Sequence, residues 1–242
     1  MLINNKNTII VLRAQDRAKC LETLLTSNGY NVIIEPVIKI IPYKYIPTDF
    51  KKVDAIMLTS VNSVKILNKH IDKNIIINIK AYCVGEITKK WAEKSGFNCI
   101  KTNAYSGKTL EKAILKDAIH FKKKIIIYGG ESIAHNPIPV FEKTGINYER
   151  IILYKTSPIK KLSNNCKHHI LNNKVSHILF YSPNIAKAFL TLTKNYDFSD
   201  ITAVCLGKKI ENILEKHNWK KILIMNNIKL KDFANSIIKD NM

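Results

Sequence analysis

AYCVGEITKKWAEKSGF (Ala81–Phe97) and AVCLGKKIENILEKHNW (Ala203–Trp219) follow one pattern: a short apolar run, a glycine, a helix-period segment and a closing aromatic residue. Cys83 and Gly85 of the first correspond to Cys205 and Gly207 of the second, an offset of 122 positions (207 − 85). The same offset carries Ser60 of AIMLTS onto Ser182 of HILFYS without a gap. A second pair, IIVLRAQ with Gly29 and IIIYGGE with Gly145, is offset by 116 (145 − 29). One such match means little, but two pairs in order indicate an internal duplication.

The repeated pattern recurs along the whole chain. Apolar runs rich in Ile and Val (TIIVLR, NVIIEPVIKI, AIMLTS, AYCVG, NCI, KIIIYG, ERIILYKT, HILFYS, AVCLG, KILIM) are short and little interrupted by polar residues. Such runs suit strands buried on both faces of a parallel sheet. Between them lie helix-period segments such as RAKCLETLLTSNGY, GKTLEKAILKDAIHF and NIAKAFLTLTK, several closed by Gly or Asn. Alternating strands and helices predict an α/β architecture of right-handed βαβ units.

A chain of 242 residues is long enough for one large domain or two small ones. Sequence order alone divides it near residue 119. A competing division follows from EPVIKIIPY (Glu35–Tyr43) and RIILYKTSP (Arg150–Pro158), two extended segments with Pro at the edge of a strand pattern. If these run side by side as a connector, one domain is discontinuous in sequence.

Composition excludes some functions. No apolar run approaches the ~20 residues that span a bilayer, so no membrane segment is expected. MLINNKNTIIVLR reads as a first strand and not an export signal. Five scattered cysteines do not make a disulfide framework, which points to a reducing, cytoplasmic setting. Cys166-Lys167-His168-His169 lacks a second ligand pair at metal-binding spacing, so no metal is expected. The net charge of +20 would suit a polyanionic ligand, but it is almost all Lys, with Arg13, Arg17 and Arg150 the only arginines. Nucleic-acid readers favour Arg for bidentate contacts, so the charge permits an anionic small molecule without requiring a nucleic acid.

Chemistry is expected where strands run into helices. Ser60 and Ser182 each stand at such a junction, where a hydroxyl caps the first turn. The remaining N–H groups there, those of Val61 and Asn62 in the first copy, favour anions. Gly85 permits close backbone approach, with Thr88 one turn along; Gly207 is followed by Lys208 and Lys209, which replace a hydroxyl by two ammonium groups. None of this matches a dinucleotide-binding fingerprint or a P-loop.

In order, VLRA, LTSVNSV, YCVGEITKKWAEKSGF, IIIYGGES, LYKTSP, FYSPNIAKAF and VCLGKKIENILEKHNW resemble the uroporphyrinogen-III synthase family over essentially the whole chain. The resemblance implies two flavodoxin-like, doubly wound parallel-sheet domains joined by a two-stranded connector. Residues 1–37 and 158–242 would form a discontinuous first domain and 42–152 the second, with 38–41 and 153–157 connecting them. It implies cyclisation of hydroxymethylbilane to uroporphyrinogen III in an interdomain cleft, with inversion of ring D and loss of water. No cofactor is implied. The partner is a small-molecule substrate, a linear tetrapyrrole polycarboxylate; a monomer in transient contact with the preceding pathway enzyme is expected, with neither nucleic acid nor membrane. By the same resemblance Tyr154 assists departure of the hydroxyl, while Arg13, Ser60, Thr88, Gly130 and Ser182 meet the substrate. The chain departs from the family pattern at Ile210, where a Thr is usual, and at Gly129, where an Arg is frequent. Two other readings stay open from the residues alone: a non-catalytic two-domain binder of an anionic ligand, and an RNA-associated protein. The latter would want aromatic stacking platforms interleaved with Arg.

Overall fold

The structure, a computed structural model, describes residues 6–102, 104, 106–225 and 230–240. The chain runs β1 (Thr8–Val11), α1 (Gln15–Thr26), β2 (Asn31–Ile34), β3 (Ile38–Pro42), β4 (Val53–Leu58), α2 (Val61–Leu67), α3 (Lys73–Ile76), β5 (Lys80–Cys83), α4 (Glu86–Lys94) and β6 (Asn98–Cys99). It continues through α5 (Gly107–Asp117), β7 (Lys124–Gly130), α6 (Ile138–Lys143), β8 (Tyr148–Pro158), α7 (Asn164–Leu171), β9 (Val175–Phe180), α8 (Pro183–Leu192), β10 (Phe198–Leu206), α9 (Lys208–Leu214), β11 (Trp219–Met225) and α10 (Leu230–Asp240). Two compact units result: residues 1–39 with 158–242, and residues 40–157.

The first unit holds a sheet ordered β11-β10-β9-β1-β2, parallel throughout. Counted in chain order within that sheet the strands run 2-1-3-4-5, and the order reverses between β1 and β9. Central β1 and β9 are buried along their whole length, as the unbroken apolar runs predict, whereas edge strand β2 is partly exposed. Successive residues alternate between two cores: Ile10, Ile178 and Phe180 pack into one, and Ile9, Val11 and Leu179 into the other. Phe198 and Trp219 stack in the first core with ring centroids 4.4 Å apart.

The second sheet is ordered β3-β8-β7-β4-β5-β6, with parallel pairing from β8 through β6. Two-residue β6 extends one edge, so the strands from β4 to β8 run 3-2-1-4-5, the other doubly wound order, reversing between β4 and β7. Ile56, Leu58, Ile126 and Tyr128 face one core; Ala55, Met57, Ile125 and Ile127 face the other.

NVIIEPVIKI is not one strand. It breaks at Glu35 and Pro36 into β2 and β3, because Pro36 lacks the N–H that a continuing ladder needs. Buried Glu35, 5% exposed, is held for a purpose: its carboxylate accepts from Ser163 N at 2.8 Å and Ser163 Oγ at 2.5 Å. Ser163 also caps α7, accepting from Cys166 N at 3.1 Å, so one carboxylate fixes the point where the chain re-enters the first unit. Helices α3, α6 and α7 fall in segments without a strong sequence period.

Candidate active site

Within each sheet the strand carboxyl ends and helix amino ends lie along one edge, the edge at which doubly wound sheets bind ligands at the point of strand reversal. In the second unit that point lies between Thr59-Ser60, after β4, and Gly130, at the end of β7. Ser60 is the extended N-cap of α2 and accepts from Ser63 N at 3.3 Å. Its hydroxyl also meets the Tyr154 phenol at 2.7 Å. Tyr154 belongs to β8 and pairs in register with Gly130, and its ring lies directly over that glycine. A Cβ built on Gly130 would stand 2.8 Å from the ring edge. Gly130 is therefore a floor for the phenol, and Ser60 its hydrogen-bond partner. Tyr154 is 7% exposed.

Arg150, on the same strand as Tyr154, was not singled out from sequence. Its Nη2 donates to the carbonyls of Gly130 at 3.1 Å and Glu131 at 2.7 Å, clamping the end of β7. Glu131 N donates to the Tyr154 carbonyl at 2.9 Å, closing the clamp from the other side. Gly129 matters for a different reason from the one the resemblance offered. A Cβ there would fall 2.6 Å from Thr59 Oγ1, which donates to the Tyr128 carbonyl at 3.1 Å. The strand end is too tightly packed at that point for a side chain as large as Arg.

Gly85 and Gly207 precede α4 and α9 with φ/ψ of 76°/153° and 77°/164°. Positive φ with ψ near 160° is a region that only glycine enters readily, and the two copies share it. No atom lies within 4 Å of a Cβ built on either, so strain and not collision is what excludes a side chain. Gly85→Ala is expected to lower stability by about 2 kcal/mol through that strain, read as a reduced urea midpoint with an unchanged slope.

Thr88 and Ile210 occupy equivalent positions one turn on and are both buried, at 6% and 1% exposure. The difference between copies is thus a hydroxyl turned inward, not one displayed on the rim. Lys208 is engaged by Glu211 at 2.5 Å, a bond that raises its pKa, while Lys209 is exposed. Among the described residues no group of three or more His, Cys, Asp or Glu side chains gathers to hold a metal, and no helix is long and apolar enough to cross a membrane. Cys166 is buried in α7, on which His168 and His169 are also carried.

The first unit builds its point of reversal differently. Ser182 caps α8, accepting from Ile185 N at 3.3 Å, but Pro183 at the first helical position has no N–H to offer a ligand. Val61, the equivalent residue in α2, does. Arg13, just beyond β1, lies over the Tyr181 ring at 4.7 Å, and Tyr181 directly precedes the Ser182 cap. Burial lowers the Arg13 pKa, and Tyr181 offsets part of that. Burial likewise pushes the Tyr181 phenol up to about 12, with Arg13 opposing, so it stays protonated at neutral pH. Tyr181 was legible only as the residue before the Ser182 cap.

Two doubly wound units with polar rims at their points of reversal define an α/β enzyme scaffold. Comparison with known proteins gives the family. Residues 19–234 match the family model of uroporphyrinogen-III synthase HemD, and the chain belongs to the uroporphyrinogen-III synthase family, an enzyme family of porphyrin biosynthesis. It is 24% identical over 230 residues to the porphyrin biosynthesis protein HemD of Ruminiclostridium josui. That match takes in 89% of this chain but 45% of the length of the relative. In fold it is similar to the uroporphyrinogen-III synthetase of Helicobacter pylori, with a TM-score of 0.69 at 18% identity over 98% of this chain and all of that one. A mutant uroporphyrinogen III synthase of Thermus thermophilus follows at a TM-score of 0.50 and 11% identity, covering 96% of this chain and 99% of that one.

Proposed function

We propose that this chain cyclises linear hydroxymethylbilane to uroporphyrinogen III, inverting ring D and releasing water. Family membership supports the reaction, and the Tyr154–Ser60 pair over Gly130 is the observation that carries the assignment of the site. Ser60 Oγ and Tyr154 Oη are 2.7 Å apart and either can donate; in this reading Ser60 gives its proton to Tyr154 Oη. The phenol proton is then available to a substrate oxygen. In this reading Tyr154 hydrogen-bonds the departing hydroxyl of hydroxymethylbilane. Loss of that hydroxyl gives an azafulvene cation, which ring D attacks through its substituted carbon by way of a spiro intermediate.

The rest of the site restrains. Uninverted closure is the simpler path, so selectivity requires holding a flexible chain in a reactive geometry, a task of positioning more than of covalent chemistry. The substrate carries acetate and propionate groups, for which the N–H groups of Val61 and Asn62, the guanidinium of Arg13 and the ammonium of Lys209 are suitable partners. Gly85 and Gly207 let backbone approach closely on either rim. No cofactor enters this reading.

Tyr154→Phe keeps the ring over Gly130 and removes its hydroxyl. In an assay supplied with freshly generated hydroxymethylbilane, kcat for the type III isomer is expected to fall about tenfold, the weight of one hydrogen bond to a reacting group, while circular dichroism is unchanged. Unchanged kcat would return Tyr154 to a packing role.

A further inference from the structure

We propose that Cys83 and Cys99 are a reversible dithiol–disulfide pair, a modification site at the edge of the second sheet that hydrogen peroxide oxidises and a thiol reductant restores. Their sulfurs stand 3.8 Å apart. Cys83 ends β5 and is 5% exposed, while Cys99 ends β6 and is half-buried. Lys80 pairs with Asn98 and Ala81 with Cys99, so the two thiols lie diagonally across neighbouring strands. Both face the core that holds Ile56 and Tyr128. A disulfide needs its sulfurs about 2 Å apart, which leaves an approach of about 1.8 Å to be made. That movement falls on β6, a two-residue edge strand with a neighbour on one side only.

The surroundings give the two sulfurs different parts. The hydrogen bond from the Cys83 thiol lowers the Cys99 pKa; Lys89 adds to that effect, while burial and Glu93 oppose it. The same bond, together with burial, holds the Cys83 thiol up. Cys99 is therefore the attacking thiolate and Cys83 the resolving thiol. Cys99 Sγ also lies 3.9 Å from the Lys89 carbonyl, which sets it against α4. The other cysteines have no such setting. Burial pushes the Cys166 and Cys205 thiols up to about 12 and about 11, and Cys20 stands exposed on α1. Cys205 is the duplicate of Cys83, but the same offset of 122 (221 − 99) carries Cys99 onto Lys221. The first unit has a lysine where the second thiol would stand, so the pair belongs to one copy alone.

In the first step the Cys99 thiolate attacks one peroxide oxygen. An S–O bond forms, the O–O bond breaks, and the departing hydroxide takes up the proton that Cys99 released. The Cys83 sulfur then attacks the Cys99 sulfur; the S–S bond forms, the S–O bond breaks, and hydroxide leaves as water with the Cys83 proton. Two thiols and one hydrogen peroxide become one disulfide and two waters. The ring so closed contains Gly85 and the whole of α4. Gly85 makes the positive-φ turn that starts this helix, and the cross-link braces that turn against local opening.

Cys20→Ser removes the exposed thiol and leaves four. Treated with a small excess of hydrogen peroxide, this variant is expected to fall from four titratable thiols to two on denaturation, to yield a cross-linked Cys83–Cys99 peptide by mass spectrometry, and to recover with dithiothreitol. The double variant Cys20→Ser/Cys99→Ser should keep all three of its thiols. Oxidation of Cys20→Ser should also slow amide hydrogen exchange across Glu86–Lys94 and raise the thermal midpoint by about 5 °C. Four thiols retained, or Cys99 carried to the sulfinic acid without the cross-linked peptide, overturns the inference. Unchanged exchange in the cross-linked protein overturns the bracing of the Gly85 turn. Should Cys20→Ser fold poorly, the peptide map of peroxide-treated wild type decides: a Cys83–Cys99 cross-link supports the pair, and its absence overturns it. None of these readouts depends on the synthase reading.

Discussion

Gly130→Val is expected to lower kcat about tenfold, as much as removing the Tyr154 hydroxyl, while costing about 2 kcal/mol of stability. The added Cβ would sit 2.8 Å from Cε2, 2.9 Å from Cζ and 3.2 Å from Oη of Tyr154, closer than a ring held on its other side can tolerate. The ring must move, and the 2.7 Å bond to Ser60 breaks when it does. Displacement by about 1 Å is enough to lose the whole contribution of a hydroxyl whose help depends on alignment. The proof lies in a double-mutant cycle. In a Tyr154→Leu background, Gly130→Val should cost little further activity, because the atoms it would strike are gone. Equal losses in both backgrounds would show that Gly130 acts through something other than Tyr154.

Asp240→Ala is expected to destabilise the first unit by about 3 kcal/mol. A carboxylate at the last residue of α10 is disfavoured by the helix dipole, so other contacts must hold it there. Asp240 accepts from Lys221 Nζ at 2.6 Å, Thr202 Oγ1 at 3.1 Å and the ring of buried His177 at 3.3 Å. Removing it strands His177, which is 1% exposed, and the equally buried Thr202. Burial opposes the charge of Asp240, but the bonds from Lys221 and Thr202 outweigh it and hold the carboxyl below its ordinary range. Burial also lowers the His177 pKa, with Asp240 offsetting part of the shift. Both folded values lie below the unfolded ones, so the stability these groups contribute is full above an unfolded imidazole pKa of ~6.5. It declines as pH falls, first as unfolded His177 takes its proton and then as Asp240 does below ~4. Urea midpoints measured from pH 7 to pH 5 should fall more steeply for Asp240→Ala than for wild type, because without the carboxylate the folded His177 pKa drops further below its unfolded value. Parallel curves would mean that the cluster is not what ties stability to pH.

How far the sequence reaches depends on what kind of physics sets each feature. Parallel sheets were legible because β1, β4, β7 and β9 are almost wholly buried and carry the apolar stretches TIIV, AIML, IIIY and HILF. The matched glycines were legible because Gly85 and Gly207 adopt a backbone region closed to other residues, which leaves a mark at a fixed spacing. The break of NVIIEPVIKI was signalled by Pro36 but obscured by the apolar residues on both sides. Short helices such as α3 and α6 hold too few turns to express a period. The 3-2-1-4-5 order of the second sheet depends on β6, two residues that carry no pattern of their own. Site residues divide in the same way. Ser60 and Ser182 were visible as caps, but the contacts that give the site its geometry join distant segments. Ser60 to Tyr154 and Arg150 to Gly130 are pairs created by the fold, and no local period announces them. Arg150 left one faint trace, as one of only three arginines in a lysine-rich chain.

The most direct measurement is the isomer composition of the product formed from freshly generated hydroxymethylbilane. Predominantly type III uroporphyrinogen, formed at a rate proportional to protein concentration, is the expected result. Type I uroporphyrinogen alone, at the rate seen in buffer without protein, would contradict the assignment of this chain as the cyclising enzyme.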